Sequence, residues 1–516
     1  MYPSEKARAT PDKLAVVMGA TGDSLTYGEL DAAANQLAHF FRDQGLERLD
    51  HVAFFMENRL ELVVATSAAE RTGLYYTSID AKFATGEAAW IVNDSQAKVV
   101  VTTSKLRPAA DGLPAECPNV ERWIMLDIEE PDGPWEPYAT TVGTLPTTPV
   151  PDEKLGASMF YSSGTTGRPK GIFRQMPDMA PTDPLPIYAL ASKVYQLREG
   201  LTYIAPGPMH HAGGQAPVGL SIRLGGTVIV MDRFDAETFL RYVETYGATH
   251  SMVVPTMLSR MLALPDEVKA KYDLSTLEAI THGAAPCPTS VKQGMIAWLG
   301  PIIFEYYGGS EANGICACNS EESLAKPGTV GKAAVGEVVI RDDAGNELGP
   351  HQIGEIWFRG ATAFTYFNDD DKTTSNRTDD GSMSKIGDIG YVDEDGYLFL
   401  TDRSSFTIVS GGVNIYPQEV ENVLANHPDV VDVAVIGVPN QDRGEEVKAV
   451  VELAAGVPAT EETEQALIRS LDGELATFKW PRSIDFVDAV PRTATGKLDK
   501  RGLRERYWAG HSTRIV

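Results

Sequence analysis

Tyr161-Ser162-Ser163-Gly164-Thr165-Thr166-Gly167-Arg168-Pro169-Lys170-Gly171 places three glycines, four Ser/Thr hydroxyls and two cations in one run of the chain. Glycine lets the main chain enter left-handed conformations and lets another group approach the backbone closely. Successive N–H groups in such a loop form a concavity for anions, to which Ser and Thr add donors and Lys170 a point charge. A triphosphate fits that chemistry. On composition alone the competing reading is a hydroxyl-rich surface loop. The run is not the P-loop of kinases and ATPases, because Pro169 precedes the lysine and no Gly-Lys-Ser/Thr follows a four-residue spacer.

Outward from this run, 516 residues are too many for one compact core, so two or more domains are expected. The apolar (43%) and charged (22%) fractions are those of an ordinary globular enzyme. A formal charge of −26, from 71 acids against 45 bases, argues against nucleic-acid or membrane-surface partners, which select a basic face. Any polyanionic substrate must therefore be drawn in by local cations. Cys117, Cys287, Cys316 and Cys318 lack paired zinc-ligand spacing and read as free thiols. The first residues show no basic-then-apolar leader, and no apolar run approaches the ~20 residues that span a bilayer. A cytoplasmic enzyme without integral membrane contact is the expectation.

Strand and helix signals alternate, which predicts an α/β fold with parallel strands. Thr26-Tyr27-Gly28-Glu29 reads as a capping box before Leu30, Ala34, Leu37 and Phe41 at helical spacing, with Gly45 ending the helix. Strands are expected at 52–56, 98–103 and 228–231, helices at 60–69 and 239–246, and a strand running into a glycine turn at 304–310. Residues 129–152, rich in Pro, Gly, Thr and acid, read as a loop. The texture changes at Asp402-Arg403-Ser404-Ser405. Beyond it come a helix at 419–426, strands at 430–438 and 448–453, and a charged helix at 461–475. About 110 residues remain there, enough for a small α+β domain. The boundary is placed between residues 1–403 and 404–516.

Taken with further segments in order, the opening run resembles the phosphate-binding signature of the adenylate-forming superfamily: acyl-CoA synthetases, firefly-type luciferases and the adenylation domains of peptide synthetases. Those segments are Gly283-Ala284-Ala285-Pro286, Tyr306-Tyr307-Gly308-Gly309-Ser310-Glu311, Gly387-Asp388, Asp402-Arg403, Gly411-Gly412-Val413-Asn414-Ile415-Tyr416-Pro417 and Pro491-Arg492-Thr493-Ala494-Thr495-Gly496-Lys497-Leu498. The resemblance covers nearly the whole chain and implies a large multi-subdomain N-terminal domain binding AMP and the acyl group, with a small mobile lid. It implies that Ser162, Ser163, Gly164, Thr165, Thr166, Gly167 and Lys170 take the phosphates. Gly283, Ala284 and Ala285 would wall the adenine slot beside Tyr307 and Gly308, and Asp388 and Arg403 would bind the ribose. Glu311 would hold Mg²⁺, with Ser310 replacing the more usual Thr. His211, with Gly213 and Gly309, would line the acyl pocket. Gly411 and Gly412 would line the CoA tunnel, and the hinge would fall at Ser404 and Ser405, where Asp or Lys is commoner.

The implied catalytic residues are Lys497, Glu311 and Ser310. Lys497 would stabilise the charge that grows on the α-phosphate oxygens as pyrophosphate departs. The expected partners are a carboxylic acid, ATP with Mg²⁺, and coenzyme A, with a homodimer as the assembly carried forward. The acid would be fatty, aryl or polycyclic, because the glycines near the pocket leave room. Two other readings stand beside this one: transfer of the acyl group to a carrier protein or separate transferase, and a nucleotide-binding pseudoenzyme.

Overall fold

Valine-rich runs with side chains buried on both faces form parallel strands that must be covered on two sides. The computed structural model describes residues 2–509 apart from 163–168, 185, 361–363, 404–405, 411–412, 441–442 and 494–496, and the side chains of residues 187, 402, 403 and 414 are likewise outside the description. A six-stranded parallel sheet runs in the order Trp135–Pro137, Arg122–Leu126, Ala97–Thr103, His51–Phe55, Tyr75–Ile79, Ala157–Ser158. Period-two alternation sends Val52 and Phe54 into the core built with the helices Tyr27–Asp43 and Leu60–Arg71. It sends Ala53 and Phe55 into the opposite core, under the helix Thr85–Asp94.

A nine-stranded sheet follows the order Lys332–Val335, Ile315–Cys318, Ile303–Tyr307, Ala279–His282, His250–Val253, Thr202–Ala205, Thr227–Val230, Leu14–Met18, Ser24–Thr26. Its centre is parallel and its flanks antiparallel. Val16, Tyr203, Val228 and Val230 of this sheet share one core with Val52 and Phe54, so the helices Tyr27–Asp43 and Leu60–Arg71 lie between two sheets. Its other face packs on the helices Ala236–Tyr246, Pro255–Leu262 and Thr289–Leu299. An antiparallel sheet of four strands, Glu337–Arg341, Gly354–Arg359, Met383–Val392 and Leu398–Arg403, completes this larger part. The C-terminal sheet runs Val413–Ile415, Ile408–Ser410, Gly444–Leu453, Val430–Asn440, with Ser483–Val487 paired to Gly444–Leu453. It has its own core, closed by the helices Pro417–Leu424 and Glu461–Arg469. The fold is a large N-terminal α/β part joined to a smaller α+β part.

The capping box is present: Glu29 N–H donates to Thr26 Oγ1 at 3.2 Å, and Thr26 N–H to Glu29 Oε2 at 2.8 Å. Residues 129–152 are more structured than composition predicts, holding the strand Trp135–Pro137 and a helical turn Tyr138–Thr141. An aromatic anchor does this. Trp135 is buried, meets Trp123 edge-on at 5.3 Å and donates its indole N–H to Asp111 at 3.0 Å. The last charged helix stops at Arg469, and Gly473 then takes a left-handed φ of 79°. All four cysteines are free, and burial pushes the Cys318 thiol up to about 12. Among the described residues no helix is long and apolar enough to cross a membrane.

His51 and His282 are both buried, and neither ring nitrogen of His282 has a hydrogen-bond partner. Burial holds each imidazole down at about 4, against the opposing charges of Asp50 and Glu305 respectively. The unfolded chain therefore takes up these protons first as pH falls. The stability they contribute is complete above the ordinary histidine value of 6.5 and is lost progressively toward about 4. The urea midpoint should fall between pH 7 and pH 5, and fall less in His282→Gln. Equal slopes in both proteins would remove His282 from this role.

Candidate active site

A small antiparallel sheet ties the ends of the glycine–hydroxyl run together. Its strands are Phe160–Ser162, Lys170–Phe173 and Thr365–Tyr366, and Lys170 sits directly opposite Ser162. Ser163, Gly164, Thr165, Thr166 and Gly167 lie outside the described residues. Lys170 pairs with Asp369, whose other oxygen caps the helix Asp370–Ser375 by accepting from Lys372 N–H at 2.9 Å. The Lys170 ammonium holds the Asp369 carboxyl below its usual range. Asp369 was not legible in the sequence, which offers only a run of acids at 369–371.

The same small sheet reaches Glu311. Its Oε1 accepts from the Tyr366 hydroxyl at 2.9 Å, and the carboxylate is 9% exposed. Arg174, just past the strand Lys170–Phe173, donates to the Ser310 carbonyl. Burial lowers the Arg174 guanidinium while the Glu311 charge supports it. Glu311 Oε2 makes no hydrogen bond among the described residues. A carboxylate oriented through one oxygen and open at the other suits a hard cation that takes oxygen ligands. Gly309 packs closely on this carboxylate: a Cβ there would lie 2.4 Å from Glu311 Oε2 and 3.1 Å from Ile386.

Tyr307 ends the central strand Ile303–Tyr307 and donates its hydroxyl to Asp388 Oδ2 at 2.7 Å. Asp388 lies on the strand Met383–Val392 and faces Arg403 in the register of the next strand. The Arg403 side chain is outside the description. Two sheets therefore deliver the implied adenine and ribose residues to one place. Gly283 has a packing reason for being glycine: a Cβ would sit 2.7 Å from both the ring and the carbonyl oxygen of Tyr306. Ala284 takes a left-handed φ of 67°, so the segment turns sharply away after the strand Ala279–His282. Ala285 follows, partly exposed, and Gly308 packs against the Gly314 carbonyl.

His211 is the N-cap of the helix Ala212–Arg223, and its ring lies 4.0 Å from that of His210. Burial, then the neighbouring His210, draws the His211 imidazole down to about 3, so it is neutral at physiological pH. Lys497 also contributes to that depression. Lys497 itself lies on the C-terminal part. Its loop is anchored on the small sheet: Arg492 pairs with Asp432 at 2.7 Å, and Thr493 N–H donates to the Lys497 carbonyl at 2.8 Å. Contact between the two parts also runs through Ser290, whose hydroxyl donates to Asn426 Oδ1 at 2.7 Å. Gly213 opens toward Met252 and the Tyr306 hydroxyl, at 3.2 and 3.6 Å from a Cβ, and Tyr195 stacks edge-on against Tyr306 at 5.3 Å. Ser404, Ser405, Gly411 and Gly412 lie outside the described residues.

Comparison with known proteins agrees with this layout. The family model for AMP-binding enzymes matches residues 4–367, and that for the AMP-binding enzyme C-terminal domain matches residues 419–497. A 2–succinylbenzoate–CoA ligase of Bacillus licheniformis is 30% identical over 502 residues, covering 97% of this chain and 98% of that protein. The fatty acid–[acyl-carrier-protein] ligase ScoC of Streptomyces coeruleorubidus is 31% identical over 506 residues, covering 96% and 94%. The crystal structure of ATP-bound MatB from Rhodopseudomonas palustris superposes with a TM-score of 0.82 at 28% identity, over 99% of each chain. The chain therefore belongs to the AMP-binding enzyme family, the adenylate-forming ligases, in which ATP activates an acid as its acyl-adenylate.

Proposed function

We propose that this chain is an acid–thiol ligase that makes an acyl-CoA through an acyl-adenylate. The observation that supports the proposal is a pair of oriented carboxylates on the residues that the resemblance assigns to ribose and Mg²⁺: the Tyr307 hydroxyl donates to Asp388 at 2.7 Å and the Tyr366 hydroxyl to Glu311 at 2.9 Å. The substrate carboxylate attacks the α-phosphorus of ATP, the bond to the bridging oxygen breaks, and pyrophosphate leaves. Lys497 stabilises the oxygens that gain charge, and Lys170 exchanges Asp369 for the departing phosphates. Glu311 would hold Mg²⁺, which when bound neutralises polyphosphate charge. His211 lines the pocket as a neutral ring and is not needed as a base, since a carboxylate with an ordinary pKa of ~4 is already ionised.

The second half-reaction is thiolysis by CoA. We place the boundary between residues 1–403 and 404–516, with the hinge at Ser404–Ser405. Rotation there withdraws Lys497 and presents Gly411 and Gly412 to the pantetheine arm. One site then serves two incompatible sets of contacts. The acid is a sizeable fatty, aryl or polycyclic one, a reading supported by the methionine Met252 beside Gly213 and by the Tyr195–Tyr306 ring pair next to it. A cytoplasmic homodimer is the assembly we propose, and sedimentation would test it. Transfer to a carrier protein is the second reading, favoured by the likeness to a carrier-protein ligase at 31% identity. The retention of both Glu311 and Lys497 speaks against a pure nucleotide binder.

Replacing Gly412 with Trp should block acyl-CoA formation by about 100-fold or more, a barrier of ~3 kcal/mol, while acid-dependent pyrophosphate release survives. Equal loss of both halves would count against the tunnel. Product analysis with CoA and with a holo-carrier protein, over a panel of acids, separates the two acceptors.

A further inference from the structure

Asp80, His210 and His211 form a cluster that the pocket-lining role of His211 does not explain. Asp80 follows the strand Tyr75–Ile79 and is 7% exposed, and the two histidines end the turn that enters the helix Ala212–Arg223. One ligand atom from each residue lies within 4.8 Å of the others. His210 Nε2 is 3.3 Å from Asp80 Oδ2, yet it is not aligned for a hydrogen bond. His211 Nε2 is likewise buried without a partner. A simple His–Asp pair would turn the ring N–H onto the carboxylate. Two buried nitrogens and a carboxylate that crowd together without bonding one another have the donor set of a metal centre.

We propose that Asp80, His210 and His211 bind one divalent transition-metal ion of the zinc class beside the start of the helix Ala212–Arg223. Two imidazoles and one carboxylate select zinc, cobalt or nickel over magnesium, whose hard ion takes oxygen ligands. Asp80 Oδ1 is already oriented by the Lys82 N–H at 3.0 Å, which leaves Oδ2 for the ion.

The test is a titration of the tag-free, metal-stripped full-length chain with Co²⁺, followed by its visible ligand-field absorption, and with Zn²⁺ by calorimetry in excess Mg²⁺. One ion per chain is expected. His210→Ala and Asp80→Asn should each weaken binding by more than ~100-fold, as loss of a direct ligand exceeds the 10–100-fold typical of an outer-shell change. His210→Cys should retain zinc, which a purely structural histidine would not require. Absence of binding up to about 1 mM, equal affinity in His210→Ala, or loss of zinc by a folded His210→Cys would each overturn the proposal.

Discussion

Lys497→Ala is expected to slow acyl-adenylate formation by about 100- to 1,000-fold, or roughly 3–4 kcal/mol of transition-state stabilisation. The ammonium acts on oxygens that gain charge only as the bond to pyrophosphate breaks, so its loss is felt in the rate more than in ATP affinity. Its loop is held by Arg492–Asp432 and by Thr493, neither of which the substitution touches. Thiolysis of a supplied acyl-adenylate should remain within a few-fold of the parent, because in the proposed second half-reaction Lys497 is withdrawn from the adenylate. Rapid-quench measurement of pyrophosphate release, beside thiolysis of synthetic adenylate, reads both. An unchanged pyrophosphate rate would take Lys497 out of the first half-reaction.

Glu311→Gln is expected to lower the same rate by at least ~100-fold, about 3 kcal/mol. The substitution keeps size and an acceptor for the Tyr366 hydroxyl but removes the charge that a hard cation needs. Tyr366→Phe should have a graded effect, because it deletes one hydrogen bond to a charged group, worth about 1.5–3 kcal/mol. The Mg²⁺ concentration for half-maximal activity should therefore rise about tenfold in Tyr366→Phe, with ATP affinity little changed. Mn²⁺ binding followed by EPR gives the same order without turnover: parent, Tyr366→Phe, Glu311→Gln. If Glu311→Gln bound Mn²⁺ as the parent does, the metal would have to be held elsewhere.

Local patterns made most of the elements legible. The Thr26–Glu29 box, the valine run at 98–103 and the helical spacing at 239–246 each state a period or a cap within a few residues, and the structure places elements there. Residues 129–152 were misread because a single buried tryptophan, not a period, holds that segment. Motif residues were readable where chemistry is written in one short run, as at Tyr307–Glu311. Their partners were not. Tyr366 meets Glu311 across 55 positions of chain, and Asp80 meets His210 through the packing of one sheet on another helix. Nothing in the local sequence of either partner records such a meeting. Gly309 shows the same limit: its smallness was legible, but its close packing on Glu311 was not.

The central claim is that an acid becomes reactive through a bond to the phosphorus of AMP. Carboxylate labelled with ¹⁸O, incubated with the enzyme, MgATP and thiol, tests it most directly. The account predicts AMP and pyrophosphate as products, with one labelled oxygen in AMP and none in pyrophosphate. Formation of ADP with label in inorganic phosphate, or of AMP without label, would contradict it.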